Sequence, residues 1–356
     1  MARALARRGH EVTIACYGHG TGPAPDGVRI VRTPVVPGYD NLRAGPDLVK
    51  PVLDAALALR LCLEDADVFH AHNYEAPLAA YIARAVRGTP VVYNNHNTMA
   101  EELHRYFEHP LAQRMAKVAG IALDHAVPRF ADACVAISED VVPELRRLGC
   151  RNVTHVPPGV EPEDLKGADR EGTRRRYKLE DRVWVVYAGN PDAYQDLEDL
   201  VDAVLGIPQV GLLMVSASPL DKWEARAAPL PASRKRFVVT PRWPEVRDLV
   251  SAADIAALPR RECSGYPIKL LNSLGLGLPT VCAEGSARRI AGVVPVPNGD
   301  PAAFGQALLD LAEAPARREA LGHAARADIL ANHTWSARAA ELEAVYHRLL
   351  GYGPAR

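Results

Sequence analysis

Apolar residues are spaced in two alternating ways along most of the chain. Short apolar runs bounded by turn residues predict buried strands, and segments with apolar residues every three or four positions predict amphipathic helices. In the first part of the chain, the predicted strands are Glu11–Tyr17, Val28–Thr33, Asp67–Ala71, Pro90–Asn94, Ala133–Ile137 and Val153–Val156. The predicted helices there are Pro51–Glu64, Ala76–Arg87, Pro110–Phe130 and Glu139–Leu148.

The alternation is interrupted at Pro157-Pro158-Gly159 and by the polar stretch Glu161–Asp181, which we interpret as a connector followed by a surface segment. It then resumes. The strands predicted after this break are Val183–Ala188, Gly211–Val215, Arg236–Val239, Ile255–Pro259 and Thr280–Ala283. The predicted helices are Leu197–Leu205, Leu220–Ala227, Glu245–Ala252, Ile268–Leu276, Ala302–Glu313, Arg317–Ala331 and Thr334–Leu350.

Strands that alternate with helices indicate βαβ units and parallel sheets covered on both faces. We therefore predict an α/β protein of two Rossmann-like, doubly wound domains. The predicted boundaries are 1–156 for the first domain and 157–333 for the second. Residues 334–356 form a last helix.

The start of the chain departs from this pattern. Met1–Arg8 is a short helical segment, and the strand Glu11–Tyr17 follows it. A doubly wound domain ordinarily opens with a strand that lies in the middle of the sheet. We expect that the natural protein begins upstream, with one more strand and a glycine-rich turn. The alternative is a helix that needs no strand before it.

The composition disfavours some classes of function. The 356 residues suggest about two domains, and Lys+Arg 42 against Asp+Glu 43 gives a net charge of −1, which disfavours a nucleic-acid partner. The six cysteines form no C-x-x-C pair, which fits a reducing compartment. Arg3, Arg7 and Arg8 interrupt any signal-peptide core, so we expect a cytoplasmic location.

Several segments, taken in order, resemble family 4 of the GT-B glycosyltransferases. They are Leu5–Thr13, Asp67–Asn73, Val91–Asn97, Val135–Glu139, Val156–Val160, Glu262–Pro279 and Thr334-Trp335. The resemblance implies two Rossmann-like domains with a cleft between them and a final helix that crosses back to the first domain. It also implies transfer of a sugar from an activated phosphate donor, with retention of configuration.

The loop between the strand Ile255–Pro259 and the helix at Ile268 is the candidate donor site. Ligands of parallel sheets bind beyond the carboxyl ends of strands, where a helix N-terminus attracts anions. The resemblance implies that Glu262 hydrogen-bonds the transferred sugar and that Ser264 and Gly265 contact phosphate. A plain helix cap is the alternative.

Two departures from the family affect this donor site. Asn272 stands where a second glutamate ordinarily holds the ribose, and Asn190 and Gln195 stand where an Arg and a Lys ordinarily bind the diphosphate. Lys269, in the first turn of the donor helix, is the nearest replacement for those cations. The alternative for Lys269 is a solvated surface lysine.

His96 follows the strand Pro90–Asn94, and the resemblance implies a contact with the donor sugar or its phosphate. A structural loop histidine is the alternative. His70 and His72, two positions apart, should point to the same face of their strand. A His-x-His pair can bind metal, but no third ligand is evident, so we predict no metal site. The resemblance implies that Arg242 and Trp243 lie where the family binds the nucleobase, and a core or surface tryptophan is the alternative for Trp243.

The function predicted from these residues is metal-independent, retaining transfer from a nucleotide-sugar donor to a glycan or lipid-linked acceptor, without a cofactor. The alternatives are a degenerate, non-catalytic sugar-binding protein and a GT-B sugar-nucleotide epimerase. Peripheral membrane contact is a further hypothesis, since the segment Arg114–Val127 is amphipathic and carries Arg114 and Lys117. Ordinary packing against the sheet is the alternative for that segment.

Overall fold

The computed structural model describes residues 1–20, 22–39, 47–179, 182–263 and 265–352. These residues form two compact units. The first contains the described residues of 1–158 together with 265–266 and 335–352, and the second contains those of 159–263 and 267–334. No helix within the described residues is long and apolar enough to span a lipid bilayer.

Strands and helices alternate in both units. The strands are β1 (Val12–Cys16), β2 (Val28–Arg32), β3 (Phe69–His72), β4 (Val91–Asn95), β5 (Ala133–Ala136), β6 (Val153–His155), β7 (Val183–Ala188), β8 (Val210–Ser216), β9 (Lys235–Val239), β10 (Ile255–Leu258), β11 (Thr280–Ala283) and β12 (Val293–Val296). The α-helices are α1 (Ala2–Arg7), α2 (Lys50–Cys62), α3 (Glu75–Arg87), α4 (Met99–Glu102), α5 (Pro110–Ala126), α6 (Val142–Arg147), α7 (Arg170–Tyr177), α8 (Leu197–Leu205), α9 (Asp221–Arg226), α10 (Trp243–Ala252), α11 (Ile268–Gly275), α12 (Pro301–Glu313), α13 (Pro315–Asn332) and α14 (Trp335–Leu350).

The second unit is a single parallel sheet with the strand order β9-β8-β7-β10-β11-β12. The chain starts in the middle at β7, moves to one edge and returns to build the other half, which is the doubly wound arrangement. Apolar side chains cover both faces of β7. Tyr187 packs in one hydrophobic cluster and Trp184 in another, and both are almost fully buried. The predicted α/β, doubly wound fold class is confirmed.

The strands of the first unit form two parallel groups, β2-β1 and β3-β4-β5-β6. All residues of β4 and β5 are buried, whereas no residue of β1 is. Apolar clusters nevertheless join the two groups, since Val12 of β1 packs in the same cluster as Val92 of β4. β1 is therefore fixed in place mainly by helices and by its pairing with β2.

Three elements differ from the prediction. The short helix α4 is not among the predicted helices. The segment predicted as polar surface contains α7, whose side chains are mostly charged and whose only buried residue is Thr173. The strand β12 was not predicted. It lies at the edge of its sheet and carries Pro295, which weakens the strand pattern.

The last helix, α14, packs against α1 in the first unit. Glu343 of α14 accepts from Arg8, and from His10 at 3.0 Å. Leu342 and Val345 of α14 join the apolar cluster that holds Leu5. The two ends of the described chain thus stabilise the same part of the first unit.

Candidate functional site

Lys269 lies in the first turn of α11, directly after the loop that follows β10. Its ammonium donates to the hydroxyl of Tyr187 at 2.8 Å and to Oε1 of Gln195 at 3.0 Å. It also lies 4.6 Å from the centre of the Tyr187 ring, within the range of a cation–π contact. Both partners are neutral, so within the described residues this cation has no carboxylate in hydrogen-bond contact.

The glycine that follows β7 makes room for this ammonium. A Cβ atom on Gly189 would lie 2.5 Å from Nζ of Lys269, closer than real contacts allow. Gln195 is buried, and Asn190 contributes its carbonyl oxygen, which accepts from the Tyr187 hydroxyl at 2.6 Å. Lys269 therefore lies beside Gly189 and Gln195, and its side chain is half-buried.

Burial and, to a smaller extent, the nearby guanidinium of Arg260 lower the pKa of Lys269 to about 8. Arg260 lies 4.8 Å from the ring centre of Tyr194, and its Nε donates to the carbonyl oxygen of Glu262. Asp192 acts on the pKa of Lys269 in the opposite sense. Two cations thus lie near enough to affect one another, each beside a tyrosine ring, and an anion bound near both would be stabilised.

Arg260 was not singled out from the sequence. It stands one residue before Arg261, and both look like solvated charges in a loop. The structure separates them, because Arg261 binds Asp199 through two nitrogens, at 3.1 Å and 2.8 Å. The backbone nitrogen of Arg261 also donates to Asp196 at 2.8 Å. Arg261 therefore anchors the loop, which leaves Arg260 as the cation beside Lys269.

The remaining predicted donor residues differ in their surroundings. Glu262 is exposed, and its carboxylate has no hydrogen bond or ion pair within the described part of the chain. Asn272 lies in α11 and is half-buried, and its side-chain amide likewise has no partner among the described residues. Ser264 lies outside the described residues.

Arg242 and Trp243 each form a hydrogen bond with a residue other than Lys269 or Arg260. The Arg242 guanidinium donates to Glu245 at 2.9 Å, and this contact is the main cause that lowers the pKa of Glu245 to about 2. The indole nitrogen of Trp243 donates to the carbonyl oxygen of Asp164 at 3.1 Å. Both residues are therefore explained by the start of α10, and no contact within the described residues joins them to Lys269.

In the first unit, three histidines meet at the carboxyl ends of β3 and β4. The rings of His70 and His72 are stacked, with centres 4.8 Å apart and planes within 5°, as their spacing predicts. Nδ1 of His72 lies 3.0 Å from Nε2 of His96. No group of three or more His, Cys, Asp or Glu side chains in the described ranges is arranged to hold a metal ion.

The hydrogen bond from Asn94 determines which ring nitrogen of His96 carries the proton. Its side-chain nitrogen lies 2.8 Å from Nε2 of His96 and donates to it, so Nε2 is an acceptor. The ring proton of neutral His96 is then on Nδ1, which has no partner among the described residues. Burial lowers the pKa of His96 and, more strongly, that of His72, so both are neutral at pH 7. The backbone of Gly265 passes close by, since a Cβ there would lie 2.9 Å from the His96 carbonyl oxygen.

The loop that carries His96 is fixed by a buried carboxylate. Asp124 of α5 accepts from the backbone nitrogens of Met99 at 2.8 Å and Ala100 at 2.9 Å, at the start of α4. The hydroxyl of Tyr74 also donates to Asp124, and it lies 2.9 Å from the carbonyl oxygen of Asn97. Sequence patterns did not indicate Asp124, since it reads as an ordinary polar position of an amphipathic helix.

We expect the substitution Asp124→Asn to destabilise the first unit. An amide keeps the shape but offers one acceptor oxygen, so at least one buried donor at the start of α4 loses its partner. The free energy of unfolding should fall by about 1–3 kcal/mol, as measured by urea denaturation. Asp65, whose side chain is fully exposed, provides the control. If Asp65→Asn destabilises the protein as much, Asp124 has no special structural role.

Comparison with known proteins places this geometry in a family. Residues 1–164 match the family described as Glycosyltransferase Family 4, and residues 182–314 match the family described as Glycosyl transferases group 1. The two matches cover most of each unit.

Among curated proteins, the chain is 24% identical over 200 residues to a GDP-mannose-dependent monoacylated alpha-(1-6)-phosphatidylinositol monomannoside mannosyltransferase of Corynebacterium glutamicum. That match covers 51% of this chain and 52% of the relative, so the chain matches about half of its length.

Among solved structures, the fold is similar to that of sucrose-phosphate synthase from Thermosynechococcus elongatus, with a TM-score of 0.82, 18% identity and coverage of 98% of this chain and 92% of that one. It is also similar to Anabaena Alr3699/HepE in complex with UDP-glucose, with a TM-score of 0.71, 15% identity and coverage of 94% and 99%. At these low identities, the structural similarity shows a shared fold and nothing more. The matches of residues 1–164 and 182–314 show that this chain is a member of the family 4 glycosyltransferases, and the structural similarity shows the GT-B fold of two Rossmann-like domains.

Proposed function

We propose that the protein is a retaining glycosyltransferase that transfers a sugar from a nucleotide-sugar donor to a glycan or lipid-linked acceptor. The observation that carries the proposal is the Lys269 ammonium. The Lys269 side chain is half-buried at the carboxyl edge of a parallel sheet, its ammonium is bound to neutral partners, and Arg260 is near enough to lower its pKa. Within the described residues no carboxylate is hydrogen-bonded to either cation, although Asp192 lies near enough to raise the pKa of Lys269, and a bound diphosphate would neutralise both charges.

The cation pair supports a donor site built differently from that of the family. The family's Arg and Lys would follow β7, but the chain has Asn190 and Gln195 there. Lys269 reaches the same place from α11, because Gly189 leaves space for it. Arg260 supplies the second charge from the loop before α11. We propose that these two cations bind the donor diphosphate in place of the usual pair.

The sugar is assigned to Glu262. Its carboxylate is exposed and lies two residues from Arg260, so it is available to accept hydrogen bonds from sugar hydroxyls. The Anabaena protein with the same fold was solved with UDP-glucose, which supports a donor of the nucleoside diphosphate sugar class. Asn272, an uncharged residue, would then bind the ribose through its amide.

In the proposed reaction, the acceptor hydroxyl attacks the sugar on the face from which the diphosphate leaves. The leaving phosphate takes the acceptor's proton, so no protein carboxylate pair is needed. The principal catalytic task is then to stabilise the phosphate charge, which Lys269 and Arg260 perform without a metal ion. In the first unit, neutral His96, with its ring proton on Nδ1, would offer a hydrogen-bond donor to a bound substrate.

Asn272 also favours a second candidate function, a protein that binds the donor without transferring the sugar. The family places a glutamate at this position, and its amide replacement carries no charge. Incubation with a panel of radiolabelled nucleotide sugars and lipid or glycan acceptors separates the two functions. Labelled product with retained configuration supports transfer, and saturable donor binding without product supports the binding protein.

Lys269→Met should weaken donor binding by about tenfold or more, because a hydrogen-bonded charge contributes about 1.5–3 kcal/mol. Methionine keeps the length of the side chain and removes the charge. Isothermal titration with a nucleoside diphosphate measures the effect. Lys222→Met, at an exposed lysine of α9, is the control and should leave affinity unchanged. Equal affinities of wild type and Lys269→Met would show that the backbone alone holds the phosphate.

Donor affinity should also depend on pH. The pKa of Lys269 is about 8, below the usual value for lysine, so the ammonium is charged below that pH and neutral above it. Affinity should therefore fall as pH rises through about 8, by up to tenfold per pH unit. Titrations between about pH 7 and 9 test this, and Lys269→Arg, whose charge persists, should flatten the profile. A flat profile for the wild type would contradict the assignment.

Glu262→Ala should lower transfer by more than tenfold, about 1.4 kcal/mol of barrier, while the fold stays intact. The reason is the loss of hydrogen bonds to the transferred sugar. Initial rates with the active donor measure the effect, and circular dichroism checks the fold. Glu224→Ala, an exposed glutamate of α9, is the control. If the two variants turn over equally, Glu262 does not contact the sugar.

A further inference from the structure

We propose that helices α2 and α3 form the interface of a symmetric homodimer, in which the same face of a second copy covers them. Helix surfaces that face water are ordinarily polar. In α2 and α3, both of which the structure describes in full, every exposed residue is apolar except Arg87 at the end of α3. These exposed residues are Pro51, Val52, Ala55 and Leu59 in α2, and Leu78, Ile82, Ala85 and Val86 in α3. A contiguous apolar surface of this kind marks a binding face.

The large side chains of this face form two stripes, which we call the α2–α3 patch. The patch consists of Val52 and Leu59 on α2, Leu63 directly after it, and Leu78, Ile82 and Val86 on α3. The members on α3 recur every four residues, and those along α2 are seven and four residues apart, which aligns each set on one side of its helix. Their exposed fractions range from 45% for Leu78 to 75% for Leu63.

The two stripes lie next to each other because α2 and α3 are joined by an ion pair at each end. Lys50, the first residue of α2, donates to Glu75, the first residue of α3, at 3.4 Å. Arg87, the last residue of α3, donates at 2.9 Å to Asp65, which follows the end of α2. The helices therefore run side by side in the same direction. Their inner sides share one apolar cluster, which contains Leu57, Ala58 and Ala79.

The size of the patch fits the centre of a dimer interface. The stripe along α2 is about 16 Å long and the stripe on α3 about 12 Å, at 1.5 Å per residue. Packed helices lie about 8–10 Å apart, so with the breadth of both helices the apolar face covers on the order of 300–400 Å². A stable interface uses about 800 Å² of each partner, with an apolar centre and a polar rim. The patch supplies that centre, and the ion pairs around it supply the rim.

The charges around the patch favour an identical partner over a charged one. The cations at its border are paired within the same copy, as Lys50–Glu75, Arg60–Glu64, Arg84–Asp132 and Arg87–Asp65. A charged partner would have to compete with these pairs. A second copy presents the same neutral, apolar face, and two such faces can meet about a two-fold axis without unpaired like charges opposing one another.

The exposed side of α5 provides a contrast within the same unit. Met115 and Val118 are exposed there, but Gln113, Arg114 and Lys117 are exposed among them. Arg114 and Lys117 form no ion pair within the described ranges. Two copies of this side would therefore bring unneutralised cations together, which opposes association. Of these two apolar surfaces, the α2–α3 patch is the one that is complementary to itself.

The small residues between the stripes suit close packing of two copies. Ala55 and Ala85 are exposed beside the larger side chains, so the helices of one copy can approach those of the other while the large side chains fill the grooves between them. Four helices, two from each copy, would then surround one apolar centre. Neither α2 nor α3 contributes a residue to the candidate donor site, so the inference does not depend on the proposed function.

The test is analytical ultracentrifugation of the full chain at about 1–100 µM, in the absence of donor, acceptor and lipid. We expect a species of twice the monomer mass of 38.6 kDa that dissociates on dilution. Leu59→Glu and Ile82→Glu, one on each helix, should each raise the dissociation constant more than about tenfold. A two-fold interface contains each substitution twice, and both new carboxylates would lie in an apolar centre. Ile82→Leu keeps the apolar contact and should keep the dimer.

Val118→Glu, at a similarly exposed apolar position of α5, is the matched control and should dimerise like the wild type. Circular dichroism melts check that each variant is folded, which is expected because all these positions are exposed. The proposal is overturned if the wild type keeps the monomer mass at the highest concentration, or if Val118→Glu weakens the dimer as much as Ile82→Glu. It is also overturned if the dimer persists in both Leu59→Glu and Ile82→Glu. Binding of the wild type to phosphatidylcholine vesicles that Ile82→Glu abolishes would overturn it too, since a bilayer would then cover the patch.

Discussion

All the strand pairs that the structure describes are parallel, and this constraint determines where chemistry is placed in each unit. Parallel neighbours require a crossover of a dozen or more residues, so the chain returns through a helix after almost every strand. The loops that leave the carboxyl ends of the strands then converge at one edge. Gln195 and Lys269 meet at that edge of the second unit, and His72 and His96 at that edge of the first.

The convergence of these loops also explains how the second unit can have Asn190 and Gln195 where the family has an Arg and a Lys. The loop after β7 and the loop after β10 lie side by side because β7 and β10 pair in the sheet. A cation on either loop can therefore occupy the same space. The loop after β7 contributes a glycine and two amides, and the segment after β10 contributes Arg260 and Lys269. The positive charge is thus present, but it comes from the neighbouring strand.

Periodicity was enough to predict most strands and helices, because most of them bury an apolar face. It failed for α7, which is stabilised by charge. Arg174 of α7 donates to Asp254 at 3.2 Å, and Asp254 also accepts from the backbone nitrogen of Trp184 at 2.8 Å. Because these contacts are polar, they produce no periodic pattern of apolar residues in the sequence. For the candidate site, the sequence indicated Lys269 as a replacement cation, but not its burial, which depends on Gly189 and Gln195 some seventy to eighty residues earlier.

Residues whose role depends on contacts with distant segments were the hardest to predict. Arg260 and Arg261 are identical in type and adjacent in sequence, and only the position of Asp199 distinguishes the anchor from the cation that faces Lys269. Asp124 shows the same limit, since nothing in the helix sequence indicates that its carboxylate caps another helix. These roles arise from contacts between distant segments, which the local pattern of apolar and polar residues does not contain.

The helix α5 shows the same dependence on contacts between distant segments. Its inner side, through Asp124 and Gly120, determines the path of the segment from Asn97 to Ala100, which follows His96 directly. Because few residues of α5 are buried, these two positions supply much of the packing that fixes this segment. The position of the loop that carries His96 therefore depends on a carboxylate 28 residues further along the chain.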